Sequence, residues 1–227
     1  QKYPVNRIIV MNTEEKFWKK TWEEKYPLVE VHHLTKEEFD HGATRRRGAE
    51  LSDAEILVFM TQDALPADRK LIGSLVTAIQ ENEKVGAAYA RQLPKSDCGF
   101  LEKYTRSFNY PSESCLKTEK DLATRGIKTY FCSNVCAAYD HKIYNEIGGF
   151  PEHAIFNEDM IYAGWMVKKG YGVAYVAEAR VYHSHNYSCA QQFHRNFDLG
   201  VSQAEHPEIF EGVPSEGEGT PSNISGC

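Results

Sequence analysis

A chain of 227 residues with 41% hydrophobic content can bury a core of its own and falls within the range of one large domain. Its net charge of −6 argues against general attraction to nucleic acid, and the one basic run, "TRRRG" at 44–48, is too short to reverse that. The longest apolar runs, "EILVFM" and "SNVCAAY", fall far short of a bilayer span, and "QKYPVNRIIVMNTEE" lacks the order of a signal peptide, so the chain reads as soluble and cytoplasmic.

In chain order, "NRIIVMNT" reads as a buried strand, "EEKFWKKTWEEKY" as a helix ending at Pro27, and "LVEVHHL" as a short strand. "TKEEFDHGATRRRGAELSDA" is part loop and part helix, and "EILVFMTQDALP" is a continuous apolar strand that stops on polar residues and Pro66. "DRKLIGSLVTAIQENEK" is an amphipathic helix with Asp68 as its N-cap, followed by the strand "VGAAYA". This alternation predicts an α/β domain with a mostly parallel sheet and helices on both faces.

From 91 to 126 the polar, aromatic-rich sequence predicts loops and short helices over a sheet edge. "TYFCSNVCAAYD" restores a strand, in which Cys132 and Cys136 are expected as buried apolar residues; the six irregularly spaced cysteines include no C-x-x-C pair. "NEDMIYAGWMVKKGY" is the clearest helix, capped by Asn157 and closed by Lys168, Lys169 and Gly170. If "GVAYVAEARVYHSH" is extended, His183 and His185 share one face, and a helix over 188–205 completes a domain spanning 1–206. The tail at 207–227, rich in Gly, Ser, Pro and Glu, is expected to be poorly ordered.

In an open α/β sheet the working groups collect at the carboxyl ends of strands, where "TQDALP" presents Asp63. Asp63 is equally a turn-capping residue before Pro66, and the histidines are equally half-exposed strand residues. Together, a carboxylate and imidazoles at two strand ends suit Mg2+ or Mn2+ completed by phosphate oxygens and water. Glu158 and Asp159 sit in the first turn of a helix, where acids stabilise the dipole without further function. They also follow the glycine-rich "GGFPEHAIFN", which would hold them against a pocket, where a carboxylate can take a proton from a substrate hydroxyl.

Taken in order, "FDHGATRRRGAELSDAEILVFMTQDALP", "ARQLP", "RSFNYP", "FCSNVCAAYD", "GGFP", "NEDM" and "VYHSHNYS" resemble the rhamnosyltransferase branch of the inverting GT-A glycosyltransferases of family 2 type. The resemblance runs from residue 5 to about residue 205, and its specificity lies in many collinear segments. It implies a GT-A, Rossmann-like sheet that is N-terminally incomplete, lacking the family's first strand-helix unit. In it Thr61-Gln62-Asp63 stands for the D-x-D motif at the donor diphosphate and metal, with Thr61 in place of the first acid. Asp159 matches the general base, with Glu158 beside it, and one of His183 or His185 supplies a further metal contact. Arg45 matches an arginine near the donor nucleotide, while Ser133 and Asn134 fall in the donor-sugar and acceptor pocket.

The implied donor is dTDP-L-rhamnose and the acceptor a glycan or a lipid-linked glycan. That acceptor allows peripheral association with the inner face of the cell membrane. General base help of this kind is worth roughly 10²–10⁴-fold in rate. Gln192 and Arg195 in "QQFHR" have the spacing of the Q-x-x-R-W element of processive relatives, but Asn196 replaces the Trp, and both read as polar residues on a solvated helix face. Two other readings stand beside the transferase: a non-catalytic nucleotide-sugar or carbohydrate-binding fragment, and a metal-dependent hydrolase using Asp63, Asp159 and the histidines.

Overall fold

The computed structural model describes residues 2–154 and 156–214. Two parallel strands, β1 (Ile8–Thr13) and β2 (Val29–Leu34), form a small sheet of their own. Between them the expected long helix is broken into a 3-10 turn, Glu15–Phe17, and a short α1 (Thr21–Lys25). Glu14 takes a positive φ of 67° and Trp18 is extended, so helical hydrogen bonding cannot run through; Trp18 and Trp22 instead pack edge to face at 5.0 Å.

After α2 (His41–Glu50), six strands make the main sheet: β3 (Ile56–Met60), β4 (Leu65–Pro66), β5 (Val85–Leu93), β6 (Cys115–Lys117), β7 (Cys136–Asp140) and β8 (Gly172–Tyr182). Their order is β3-β7-β5-β8-β4, with β6 on β8 as well. The expected α/β architecture holds, but the sheet is mixed rather than mostly parallel. β5 and β8 pair in parallel, whereas β7 runs antiparallel to β3 and β5, and β4 and β6 run antiparallel to β8. The reason lies in the connection from β5 to β7. It carries α4 (Phe100–Asn109), β6 and the short α5 (Leu122–Arg125) as a meandering excursion, so β7 need not return in parallel as it would after a single crossover helix.

Two cores cover the two faces of this sheet. On one, α3 (Leu71–Gln80) lays Leu71, Leu75 and Ile79 over Ala88, Ala90, Ala138 and Ala174, whose small side chains let the helix approach closely. Asp68 does not cap that helix as expected. Lys70 occupies the N-cap position, while Asp68 accepts from the Lys70 N–H and pairs with Arg180 on β8. On the other face, α6 (His141–Ile147) and α7 (Glu158–Lys168) enclose an aromatic cluster of Phe59, Tyr139, Tyr144, Phe150 and Tyr162 with ring centroids 5.2–5.6 Å apart for most pairs. Fully burying each such ring contributes about 1.5–3 kcal/mol. Cys132 and Cys136 are buried, as expected, and burial pushes both thiols up to about 12.

α8 (Cys189–Glu205) begins with a capping box in which Ser188 and Gln191 bond reciprocally. Residues 207–214, expected to open a disordered tail, are packed instead. α9 (Pro207–Phe210) buries Ile209 at 1% exposure against Gly164 of α7, where an added Cβ would meet Ile209 Cγ2 at 2.4 Å. Residues 215–227 of the expected tail lie outside the described residues. Among the described residues no strand pairs with the outer edges of β1 and β3; along β3 the alternate residues Val58 and Met60, on the face opposite Leu57 and Phe59, are 36% and 48% exposed.

Candidate active site

The carboxyl ends of β3, β5 and β8 lie at the same end of the sheet. The turn after β3 is pinned by Thr61 N–H to Val135 O at 3.2 Å and by Ala64 N–H to Thr61 O at 3.2 Å, which presents Asp63. The segment after β8 is stitched to the end of β5. His183 N–H donates to Leu93 O at 3.0 Å, Lys95 N–H to Ser184 Oγ at 3.0 Å, and Gly99 N–H to Asn186 Oδ1 at 2.8 Å. His183 and His185 therefore lie just past the strand rather than in it, yet their rings still converge.

Asp63 Oδ2 lies 3.3 Å from His183 Nε2 and 3.2 Å from His185 Nε2, and the two imidazole nitrogens are 3.0 Å apart. These three atoms form the metal-competent cluster found among the described residues. Three ligands on one face of an octahedron with bonds of about 2.1 Å lie about 3 Å from one another, which is the spacing seen. One carboxylate and two imidazoles fit a first-row transition ion such as Mn2+ better than the all-oxygen preference of Mg2+. Burial holds the His183 imidazole down at about 4 against the pull of Asp63, and lowers His185 as well, so both rings stay neutral and keep a lone pair to offer. Asp63 is also partly buried, which raises its carboxyl, but Thr61 and the two histidines outweigh this and leave it below its ordinary value.

The second half of the site is built by α2 and α7. Asp40 caps α2 by accepting from Gly42 N–H at 2.7 Å and Ala43 N–H at 2.8 Å, and its other oxygen accepts from Ala154 N–H at 3.1 Å. Gly42 has no room for a side chain, because a Cβ there would sit 2.1 Å from Pro151 O. This close seat on the "GGFP" loop brings Arg45 to Glu158 Oε1 at 3.2 Å. Arg45 also donates to His41 O at 3.0 Å. Glu158 is 5% exposed and accepts from Asn134 Nδ2 at 2.9 Å, so both its charge and its hydrogen-bonding capacity are engaged. Asn157 occupies the N-cap of α7 as expected, but in a left-handed conformation (φ 69°) and without a side-chain cap bond.

Asp159 Oδ2 accepts from Asn134 N–H at 2.8 Å and Oδ1 from Met160 N–H at 2.8 Å. Burial, reinforced by the neighbouring Glu158 carboxylate, raises its pKa to about 7. That value suits a group that must take up a proton near neutral pH.

The two halves are joined through Gln92. Its Nε2 donates to Ser133 Oγ at 2.9 Å, and its Oε1 lies 2.8 Å from His183 Nδ1. Ser133 precedes Asn134, so a continuous path runs from Asp159 through 133–134 and Gln92 to His183 and Asp63. Of the residues expected from the sequence, Asp63, Ser133, Asn134, Glu158, Asp159, His183, His185 and, through Glu158, Arg45 belong to this connected set. Gln62 is exposed on the Thr61–Ala64 turn. Sequence reasoning missed Gln92, Arg106 and Tyr110, which fall in the polar stretch after residue 91 read as loops and short helices, and misread Arg195. That guanidinium turns inward between Phe156 and Tyr187, 4.9 Å from each ring centroid, while Gln192 stays exposed and bonds Asn196.

The family model described as "Glycosyl transferase family 2" matches residues 1–148. The O-antigen chain rhamnosyltransferase RfbN of Salmonella typhimurium is 40% identical over 225 residues, covering 95% of this chain and 69% of that protein. WbaN of Salmonella anatum, of the same name, is 41% identical over 188 residues, covering 81% of this chain and 59% of that protein. Among solved structures, the mannosyltransferase PcManGT from Pyrobaculum calidifontis, in complex with GDP-Man and Mn2+, superposes with TM-score 0.60 at 17% identity over 86% of this chain and 51% of its own. S. aureus TarS gives 0.59 at 14% identity over 89% of this chain and 56% of its own. These structural likenesses show the fold, and the chain is shorter than every relative named. The sequence matches carry the membership that the collinear motifs led one to expect: the chain belongs to glycosyl transferase family 2.

Proposed function

We propose that this chain is the catalytic domain of a rhamnosyltransferase in polysaccharide biosynthesis, moving L-rhamnose from dTDP-rhamnose to a glycan or lipid-linked acceptor with inversion at the anomeric carbon. The observation that carries the reading is the linkage of a raised-pKa carboxylate, Asp159, to the Asp63, His183 and His185 cluster through one hydrogen-bond network. The names of two relatives near 40% identity supply the sugar.

Asp63, His183 and His185 would hold Mn2+ or, less well matched, Mg2+. Bound there, the ion would offset the negative charge that gathers on the departing nucleoside diphosphate. Asp159 takes the proton from the acceptor hydroxyl as that oxygen forms its bond to the anomeric carbon and the bond to the diphosphate breaks. One base and one displacement give inversion without a covalent enzyme intermediate. Asn134 holds Asp159 by its backbone and Glu158 by its side chain, while Glu158 anchors Arg45, which faces the donor nucleotide in this reading. Gln62 and Ser133 line the donor side.

A lipid-linked acceptor, met at the inner face of the membrane by a cytoplasmic protein, is supported by α4. Its outward face carries Phe100, Leu101, Tyr104 and Phe108 at 41–82% exposure, with Lys103 on the same helix and Lys128 Nζ 4.4 Å from the Phe108 ring centroid. An aromatic stripe flanked by lysines suits an anionic lipid surface. Among the described residues no helix is long and apolar enough to cross a membrane. The test is incubation with dTDP-rhamnose, Mn2+ and a rhamnose-accepting glycan, with NMR of the new linkage. Transfer with inverted anomeric configuration supports the reading; release of free rhamnose regardless of acceptor overturns it.

A further inference from the structure

Gln92 is a neutral side chain buried to 2% exposure at the end of β5, and all four of its hydrogen-bonding positions are used. Oε1 accepts from Arg106 NH1 and faces His183 Nδ1 at 2.8 Å; Nε2 donates to Tyr110 Oη at 2.5 Å and to Ser133 Oγ at 2.9 Å.

The partners leave no freedom in how the amide is oriented. A guanidinium has only donors, so the atom facing Arg106 must be the carbonyl oxygen. His183 Nδ1 faces that same oxygen and must therefore carry the proton. The neutral ring then has its lone pair on Nε2, the nitrogen turned toward Asp63 and His185. Arg106 is itself fixed by Glu102 Oε1 at 2.6 Å, and Glu102 is one turn earlier on α4. The brace thus runs from α4 through Arg106 and Gln92 to one nitrogen of one imidazole.

We infer that Gln92, oriented by Arg106, is a positioning residue that sets the tautomer and ring orientation of His183 so that Nε2 is the metal-binding nitrogen. The inference rests on the metal reading of the Asp63, His183 and His185 cluster. Outer partners of ligating histidines typically contribute about 10–100-fold in metal affinity. The side chain also ties this ligand to Ser133, so the donor-sugar side and the metal side of the site are aligned by one residue.

The test uses the full chain and two variants, Gln92→Leu, which removes the acceptor, and Gln92→Glu, which keeps it. The first readout is long-range ¹H–¹⁵N NMR of the His183 ring without metal, and the second is Mn2+ affinity by titration calorimetry with dTDP present. The wild type is expected to show protonated Nδ1 and bare Nε2. Gln92→Leu should lose that single tautomer and bind Mn2+ about 10–100-fold more weakly, and Gln92→Glu should recover most of the affinity. Protonated Nε2 in the wild type, or a folded Gln92→Leu variant with unchanged tautomer and affinity, overturns the inference. A wild type that shows the expected tautomer but binds no Mn2+ overturns the metal reading instead, and this inference falls with it.

Discussion

The backbone N–H of Asn134 donates to Asp159 Oδ2 at 2.8 Å, tying the entry to β7 to the first turn of α7. One oxygen is thereby fixed by a rigid main-chain donor, and Met160 N–H fixes the other at 2.8 Å. The carboxylate is held in place by main-chain donors, which position it without transferring a proton to it, as a general base needs.

Replacing Asp159 with Asn keeps the shape and one acceptor oxygen, but removes the basic oxygen and turns an NH2 donor toward one of the two backbone N–H groups. Transfer should fall by at least roughly 10²–10⁴-fold, while dTDP binding by calorimetry stays within a few-fold of wild type. Unchanged transfer would rule out Asp159 as the base.

The raised pKa of Asp159, about 7, gives two pH dependences. The base works ionised, so kcat/KM should climb with pH and level off above about 7. For stability the sign is opposite. The folded pKa lies above the ordinary 3.8, so the contribution of this group is whole below that value and is lost as pH rises through about 7. The Tm of Asp159→Asn relative to wild type should therefore shift in the variant's favour between pH 5 and pH 8, as read by scanning calorimetry.

Arg45→Ala leaves the Glu158 carboxylate buried and without its cation. Breaking buried pairs costs about 3–5 kcal/mol, and the partial exposure of Arg45, 18% for its side chain, places the expected loss near or below the low end. Urea denaturation of this variant against wild type measures it, and a change within experimental scatter would remove the pair from the account.

If α4 meets lipid, the double variant Phe100→Ser, Leu101→Ser should sediment poorly with phosphatidylglycerol-containing vesicles while transfer to a soluble glycan is retained. Equal sedimentation of variant and wild type would dismiss the lipid surface, and loss of a contact with another protein would point to that partner instead.

Much of this site was legible because its residues sit where periodicity changes. Asp63 ends an apolar run, the histidines end another, and Asp159 opens the clearest helix. Strand direction was not legible, since an apolar run reads the same in both senses; β7 is antiparallel because of the excursion through α4, β6 and α5 that precedes it. The packing of 207–214 was hidden because it depends on a bare spot at Gly164, distant in sequence. Gln92 fell in a polar stretch read as loops and short helices, and only Arg106, Tyr110, Ser133 and His183 together explain why it is buried.

The most direct measurement is a crystal structure of the chain with Mn2+ and dTDP. The ion should be bound by Asp63 Oδ2 and the Nε2 atoms of His183 and His185, with diphosphate oxygens completing its shell and Asp159 free on the acceptor side. An ion held elsewhere, with the two imidazoles turned away from it, would contradict the account at its centre.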